Sequence, residues 1–149
     1  MWDMPDNATS IALIEAFVQA DKPIAAVCHA PVALTNVRGK DGEYLVKGKH
    51  VTGFTNEEEE AVGLEKAVPF LLQTKLQERG VRFSEGPKFV NHVVKSGRLV
   101  TGQNPASAGS VGKAMVDVLN FIAEGRSVPE ENWCGWRDLN PHGRESKRF

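Results

Sequence analysis

Apolar residues follow a helical period in three segments of the chain. Residues 10–20, SIALIEAFVQA, predict a helix whose apolar stripe consists of Ile11, Ile14, Phe17 and Val18. Residues 68–80, VPFLLQTKLQERG, predict a second helix that ends at Gly80 and has a stripe of Phe70, Leu71, Thr74 and Gln77. Residues 110–125 predict a last helix with a stripe of Val111, Met115, Val118, Leu119 and Ile122.

Short apolar runs between these helices predict strands. KPIAAVC, residues 22–28, suits a central strand covered on both faces, and a helix from about Pro31 to Val37 follows it. YLVKGKHVTGF predicts two strands around a Lys-Gly-Lys turn, and KFVNHVVKSGRLVTG predicts a hairpin that turns at Ser96-Gly97. The alternation predicts an α/β fold with a mostly parallel sheet. Sites in such sheets collect at the carboxyl ends of strands, where Cys28, Gly53 and Gly102 fall.

Composition narrows the class of protein. The chain has 149 residues, 41% of them hydrophobic and 25% charged, which suits one soluble domain. A net charge of -1 gives no reason to expect nucleic acid or an anionic membrane as a partner. Two cysteines without CxxC spacing and no visible leader predict a cytoplasmic location. No apolar run approaches the roughly 20 residues that a membrane span needs.

The two ends of the chain differ from its middle. Residues 125–149 have no apolar period, so we expect a disordered tail after a domain of residues 1–124. At the other end the chain opens almost directly into a helix, and few strands are available to build a doubly wound sheet. We therefore expect that N-terminal strands of the fold are missing.

Cys28 and His29 stand where the first strand meets a helix. A sharp turn there exposes the side chain of Cys28, and we expect the positive end of the helix to lower the pKa of its thiol. His29 can then act as the base once a carboxylate orients its ring. A buried structural thiol at position 28 is the alternative that spacing alone leaves open.

Glutamates supply the candidate carboxylates. Residues 57–60 are four consecutive glutamates behind Asn56, a suitable helix cap, and they follow the predicted strand end at Gly53. Because a helix turns about 100° per residue, at most one or two of the four side chains can face inward. Sequence geometry does not choose among them, and the residues by themselves favour a solvated helix start as the interpretation of the group as a whole.

Other polar features carry weaker signals. His50 and His92 have no second ligand at zinc spacing, so each is read as a surface or satisfied strand histidine. The loop TGQNPASAG lacks the glycine pattern of a phosphate cradle. The residues therefore predict neither a metal nor a cofactor.

Taken together, five segments resemble the ThiJ/PfpI superfamily, whose fold is the class I glutamine amidotransferase-like fold. They are MWDMPDN, KPIAAVCHAPVAL, GKHVTGFTNEEEEAVGL, VPFLLQTKLQERG and GRLVTGQNPASAGSVGKAM, in that order. They cover about residues 1–122 and are most similar to the heat-shock chaperone-like branch of glutathione-independent glyoxalases, also called D-lactate dehydratases.

The resemblance implies a flavodoxin-like sandwich and a set of catalytic residues. The family's nucleophile falls on Cys28, its next-residue histidine on His29, and its acid on Glu59, with Glu58 and Glu60 as the other registers. In the family a glycine-rich turn precedes MWDxPDN and a glutamate lies further upstream, and this sequence contains neither. The resemblance also implies a homodimer that needs no cofactor.

The implied activity is conversion of a 2-oxoaldehyde such as methylglyoxal to D-lactate without glutathione, or a related deglycase reaction. A holdase-type chaperone that binds unfolded clients, with Cys28 as a redox sensor, is an alternative of another class. A glutamine amidotransferase or peptidase also uses an elbow cysteine, but its histidine lies far along the chain. An inactive truncated homologue is the fourth alternative.

Overall fold

The computed structural model describes residues 1–129 and the backbone of residues 133–134. Its α-helices are α1 (Ala8–Gln19), α2 (Asn56–Ala61), α3 (Leu72–Glu78) and α4 (Ala108–Ala123). Its strands are β1 (Ile24–Val27), β2 (His50–Val51), β3 (Arg82–Phe83), β4 (Val93–Ser96), β5 (Leu99–Gly102) and β6 (Trp133–Cys134). Two 3₁₀ helices, Ala30–Leu34 and Pro105–Ser107, follow β1 and β5.

The strands form a larger sheet in the order β1-β5-β4-β6 and a pair β2-β3. The pairs β1-β5 and β2-β3 are parallel, and Val27 lies opposite Gly102 in the first of them. The pairs β4-β5 and β4-β6 are antiparallel, and β4 and β5 form the predicted hairpin, whose turn consists of Gly97 and Arg98. The predicted α/β class is confirmed. The parallel register sets the ends of β1 and β5 at one edge of the sheet.

Apolar side chains pack in two groups. One contains Val93, Val100, Val111, Ala114 and Val118, and it joins α4 to β4 and β5. The other contains Ala26, Val32, Leu34, Val46, Val51, Phe54, Leu72, Leu76, Val81 and Leu99, and it joins β1, β2 and β5 to α3 and the first 3₁₀ helix. Burial of such side chains contributes most of the stability of a domain this size, at about 1.5–3 kcal/mol for each large one.

Several local predictions differ from the structure. In α3 the buried side chains are Leu72 and Leu76, whereas Thr74 and Gln77 are exposed, so the predicted stripe was wrong. Positions 72 and 76 are four residues apart on this helix, so their side chains lie on the same face, which packs against the core. Similarly, Leu119 of α4 is 47% exposed, and the buried side chains of that helix are Val111, Ala114 and Val118.

Two further elements are shorter than the sequence predicted. The helix expected over about residues 31–37 is a five-residue 3₁₀ helix, Ala30–Leu34. Of the two strands expected around the Lys-Gly-Lys turn, only β2 forms, while Tyr44 makes an isolated bridge to Arg38.

The segment after residue 124 was expected to be a loose tail. Within it Trp133–Cys134 form β6, which pairs with β4 through Lys95 and Val94. Residues 130–132 and 135–149 lie outside the described residues. No helix in the described part of the chain is long and apolar enough to cross a bilayer.

Candidate active site

Cys28 occupies a strained turn directly after β1. Its φ is +63°, in the left-handed region that non-glycine residues adopt only at a cost of about 1–2 kcal/mol. Hydrogen bonds hold the strained residue in place: its N–H donates to the carbonyl of Gly102 at 2.9 Å, and its carbonyl accepts the N–H of Phe54 at 2.9 Å. The thiol is half-buried. The structure therefore has the sharp turn that the sequence predicted at this position.

The structure brings Cys28, His29 and Glu59 together in a line. The Sγ of Cys28 lies 3.3 Å from Nδ1 of His29, and Nε2 of His29 lies 2.7 Å from Oε2 of Glu59. An ionised carboxylate only accepts hydrogen bonds, so Nε2 of His29 carries a proton and donates a hydrogen bond to Glu59. In the neutral ring Nδ1 is then an acceptor that faces the thiol. This is the arrangement of a nucleophile, its base and an orienting acid. We refer to Cys28, His29 and Glu59 together as the relay.

The environment of Cys28 favours its protonated form. Burial raises the pKa of the thiol most, the backbone N–H of His29 lowers it, and the charges of Glu58 and Glu59 raise it further. The net direction is upward, so the expectation that a helix start lowers this pKa was wrong. The element after Cys28 is a short 3₁₀ helix, whose dipole does not outweigh burial and two nearby carboxylates.

Packing fixes the ring of His29 from the side. The ring of Phe54 lies 4.4 Å from it, between centroids, and is only 5% exposed. The side chain of His29 remains 33% exposed, so a small molecule can reach it from solvent. Glu59 is buried, and its second oxygen, Oε1, has no hydrogen-bond partner. The relay is thus rigid on the acid side and open on the thiol side.

The four glutamates of α2 separate into two pairs. Glu57 and Glu60 are exposed, as a solvated helix start requires, whereas Glu58 and Glu59 are buried. The helix is capped by Thr55 and not by Asn56: Thr55 Oγ1 accepts the N–H of Glu58, and the Glu58 side chain accepts the N–H of Thr55. This capping box sets the rotation of α2 and so decides which glutamate meets His29.

Glu58 has a different set of partners from Glu59. Its Oε1 accepts hydrogen bonds from the backbone N–H of Phe89 at 2.7 Å, from Asn104 at 2.8 Å and from Gln103 at 3.1 Å. Burial alone would raise the pKa of Glu58, but hydrogen bonds from Thr55, Phe89, Asn104 and Gln103 outweigh it, and the net shift is downward. Glu58 therefore stays ionised and joins three loops beneath the site.

Sequence reasoning missed part of this site. Phe54, Gln103 and Asn104 are buried residues at the ends of β2 and β5, but the loop TGQNPASAG was weighed only as a phosphate cradle. The sequence does contain a signal for Gln103 and Asn104: they are two adjacent amide side chains directly after a buried strand. Buried amides need specific hydrogen-bond partners, so this pair indicates a polar cluster at the end of that strand.

The other histidines stand apart from this relay. Nε2 of His92 lies 3.0 Å from the hydroxyl of Ser84, and burial lowers the pKa of His92, so the ring is neutral and hydrogen-bonded at neutral pH. His50 lies in β2. Within residues 1–129 there is no group of three or more His, Cys, Asp or Glu side chains that could hold a metal ion.

Comparisons with known proteins agree with the fold. Residues 3–117 match the family described as DJ-1/PfpI. A probable glutathione-independent glyoxalase of Schizosaccharomyces pombe is 42% identical over 102 residues, which are 65% of this chain and 46% of that protein. The chain thus spans about half the length of the curated relatives it matches.

Two solved structures show the same architecture. The Rapid Encystment Protein of Francisella tularensis superposes with a TM-score of 0.75 at 38% identity, over 79% of this chain and 52% of that one. Glyoxalase III of Candida albicans superposes with a TM-score of 0.73 at 29% identity, over 78% of this chain and 52% of that one. The family match, the shared fold and the sequence relatives together show that this chain belongs to the DJ-1/PfpI family.

Proposed function

We propose that this site converts a 2-oxoaldehyde such as methylglyoxal to a 2-hydroxy acid, D-lactate, without glutathione. The observation that carries the proposal is the line of Cys28 Sγ, His29 Nδ1 and Nε2, and Glu59 Oε2, at 3.3 Å and 2.7 Å. Relatives that are named glutathione-independent glyoxalases support the substrate class.

The proposed reaction uses the thiol of Cys28 in place of glutathione. The thiolate adds to the aldehyde carbon to form a hemithioacetal. His29 removes the proton from that carbon and returns it to the neighbouring carbonyl carbon, which gives a thioester of the 2-hydroxy acid. Water then cleaves the thioester, so that the acid leaves and the thiol is restored. One water is consumed, and no oxidant or reductant is required.

The environment of the thiol supports a separate role for each of its partners. Since burial and the two carboxylates raise the pKa of Cys28, the resting nucleophile is a thiol and needs a base at the moment of attack. Nδ1 of His29 takes that proton, and the carboxylate of Glu59 stabilises the resulting imidazolium. The imidazolium then gives the proton to the aldehyde oxygen as the hemithioacetal forms, so that Nδ1 is free to act as the base in the next step. Glu59 acts through His29 and is a positioning residue.

The decisive experiment measures D-lactate formed from methylglyoxal by the purified chain in the absence of glutathione. We expect turnover by the parent and by Cys134→Ala, and loss of turnover in Cys28→Ala. Cys134→Ala is the matched control because it removes the other cysteine of the chain. Absence of turnover in a parent that melts cooperatively would reject the proposed function, as would equal activity of Cys28→Ala.

A second candidate function is suggested by exposed apolar side chains near the start of the chain. Trp2, Met4 and Leu13 are 64%, 46% and 60% exposed. Exposed apolar side chains favour association with a second copy, which would give the expected homodimer, or with unfolded protein clients. Suppression of client aggregation by Cys28→Ala, equal to that of the parent, would support a holdase. Gel filtration of the parent tests the homodimer.

Two further expectations remain proposals. A cytoplasmic location rests on cysteine usage, and fractionation of cells that express the chain tests it. The family domain is proposed to extend to residue 124, because α4 ends at Ala123. Limited proteolysis should then cut first after that position.

A further inference from the structure

An aromatic side chain beside the relay is held in an unusual conformation. Phe89 has a φ of +59°, and its side chain is 47% exposed. This backbone conformation is strained for a bulky residue, and burial of a ring that is half exposed offsets little of that strain. The local sequence therefore does not explain why the ring stands where it does.

The backbone around Phe89 is fixed by buried polar groups. The N–H of Phe89 donates to Glu58 at 2.7 Å, and the carbonyl of Val90 accepts the side chain of Asn104 at 2.9 Å. Gln103 accepts the N–H of Gly86 at 2.8 Å. The buried side chains of Glu58, Gln103 and Asn104 therefore fix the backbone of residues 86–90 by hydrogen bonds. This fixes the position of the Phe89 ring.

The ring of Phe89 extends the aromatic wall of the site. Its centroid lies 6.3 Å from that of Phe54, which in turn lies 4.4 Å from that of His29. Phe54 therefore lies next to both His29 and Phe89, and Phe89 presents an exposed aromatic face. Cys28 and Glu59 both contact His29, at one end of this aromatic set.

We propose that Phe89 is a specificity-determining residue that binds the carbon substituent of the 2-oxoaldehyde and favours an aromatic substituent over a methyl group. This rests on the proposed function, since the reacting carbon must be placed at Cys28. An aromatic substituent can pack against the rings of Phe89 and Phe54, whereas a methyl group is too small to gain much from this contact. Phenylglyoxal should therefore be preferred over methylglyoxal.

The test uses Phe89→Gly, because glycine adopts a φ of +59° without strain while the whole side chain, including the ring, is removed. The matched control is Val90→Ala, an exposed neighbour in the same loop whose backbone contact to Asn104 is kept. We expect Phe89→Gly to lower the ratio of kcat/KM for phenylglyoxal to that for methylglyoxal by about tenfold. Val90→Ala should leave the ratio unchanged.

A second readout does not depend on turnover. Phenacyl chloride and chloroacetone carry the same two substituents, and the thiolate of Cys28 displaces chloride from the carbon beside the carbonyl, forming one S–C bond as the C–Cl bond breaks. The ratio of the two alkylation rates at Cys28, measured by peptide mass spectrometry, should also fall about tenfold in Phe89→Gly.

The two readouts separate the two proposals. A lower alkylation ratio in a chain without turnover would support the role of Phe89 and reject the proposed function. Normal turnover with both ratios unchanged in Phe89→Gly would overturn the role of Phe89 and leave the proposed function intact. Equal effects of Phe89→Gly and Val90→Ala would also overturn it, because the loop and not the ring would then be responsible.

Discussion

Glu58 and Glu59 are consecutive residues of α2, both buried, and their carboxylates serve different parts of the molecule. Glu59 accepts a hydrogen bond from His29 at 2.7 Å, whereas Glu58 accepts from Phe89, Gln103 and Asn104. Because successive side chains on a helix point about 100° apart, one turn of α2 supports the relay on one side and the underlying loops on the other. Each role can be tested by changing one residue.

Glu59→Gln should reduce catalysis without unfolding the chain. The amide loses the negative charge that stabilises the imidazolium of His29, and it can orient the ring in the wrong tautomer. We expect kcat for D-lactate formation to fall about a thousandfold. Glu60→Gln, an exposed neighbour on the same helix, should retain the activity of the parent. Comparable losses in the two variants would contradict the assigned role of Glu59.

Glu58→Gln should mainly reduce stability. In any orientation the amide of glutamine turns an NH₂ group toward donors that the carboxylate accepts, such as the N–H of Thr55 or of Phe89. We expect the free energy of unfolding in urea to fall by about 3 kcal/mol. Glu57→Gln, whose side chain is exposed, should change it by less than about 0.5 kcal/mol. A loss below about 1 kcal/mol in Glu58→Gln would show that these hydrogen bonds are weak.

The contribution of Glu58 should depend on pH in one direction. Its pKa in the folded chain is below the unfolded value, so the unfolded state takes up the proton first as the pH falls. The stabilisation is therefore complete above about pH 4.5 and is lost as the pH falls through the folded pKa. Urea unfolding at pH 7 and at pH 3.5 should show the parent and Glu58→Gln converging in acid. If the difference in unfolding free energy between the parent and Glu58→Gln widened in acid, the predicted direction of the pH dependence would be wrong.

The reactivity of Cys28 should rise steeply with pH. Since its pKa is raised, the thiolate is a small fraction at pH 7. The rate of alkylation by iodoacetamide should increase about tenfold per pH unit and should still be rising above about pH 8.5, the pKa of an unperturbed cysteine. Peptide mass spectrometry at Cys28 gives this rate separately from that of Cys134. A rate that is already constant between pH 6 and 8 would indicate a preformed thiolate and imidazolium pair instead.

Gly102 should not tolerate a side chain. A Cβ there would lie 2.5 Å from Cγ2 of Val111 and 2.9 Å from Cβ of Ser107, so α4 would have to move away from β5. We expect Gly102→Ala to destabilise the chain by about 2–3 kcal/mol in thermal melts. Gly112→Ala, where a Cβ meets nothing within 4 Å, should stabilise α4 by about 0.5–1 kcal/mol. If Gly102→Ala and Gly112→Ala changed the stability in the same direction, the described packing of α4 on β5 would be contradicted.

The sequence by itself determined the α/β class, the strand that leads into Cys28, and the hairpin at Ser96-Gly97. These features depend on local patterns: an apolar run bounded by proline, alternating hydrophobicity, and a Ser-Gly turn. The adjacency of Cys28 and His29 was also visible in the sequence, because a thiol and its base can meet within two residues. The family resemblance then placed the acid at Glu59.

Only the tertiary structure explains why Glu59, and not Glu58 or Glu60, faces His29, and only it shows which residues surround the relay. The capping box at Thr55 fixes the rotation of α2, and no periodicity in four identical glutamates could reveal it. The direction of the pKa of Cys28 likewise depends on burial and on carboxylates 30 or so positions away, and local sequence suggested the opposite sign. Phe54 and Phe89 join the site only because β2, α2 and the loop before β4 converge at one edge of the sheet, and contacts between distant segments leave no local pattern in the sequence.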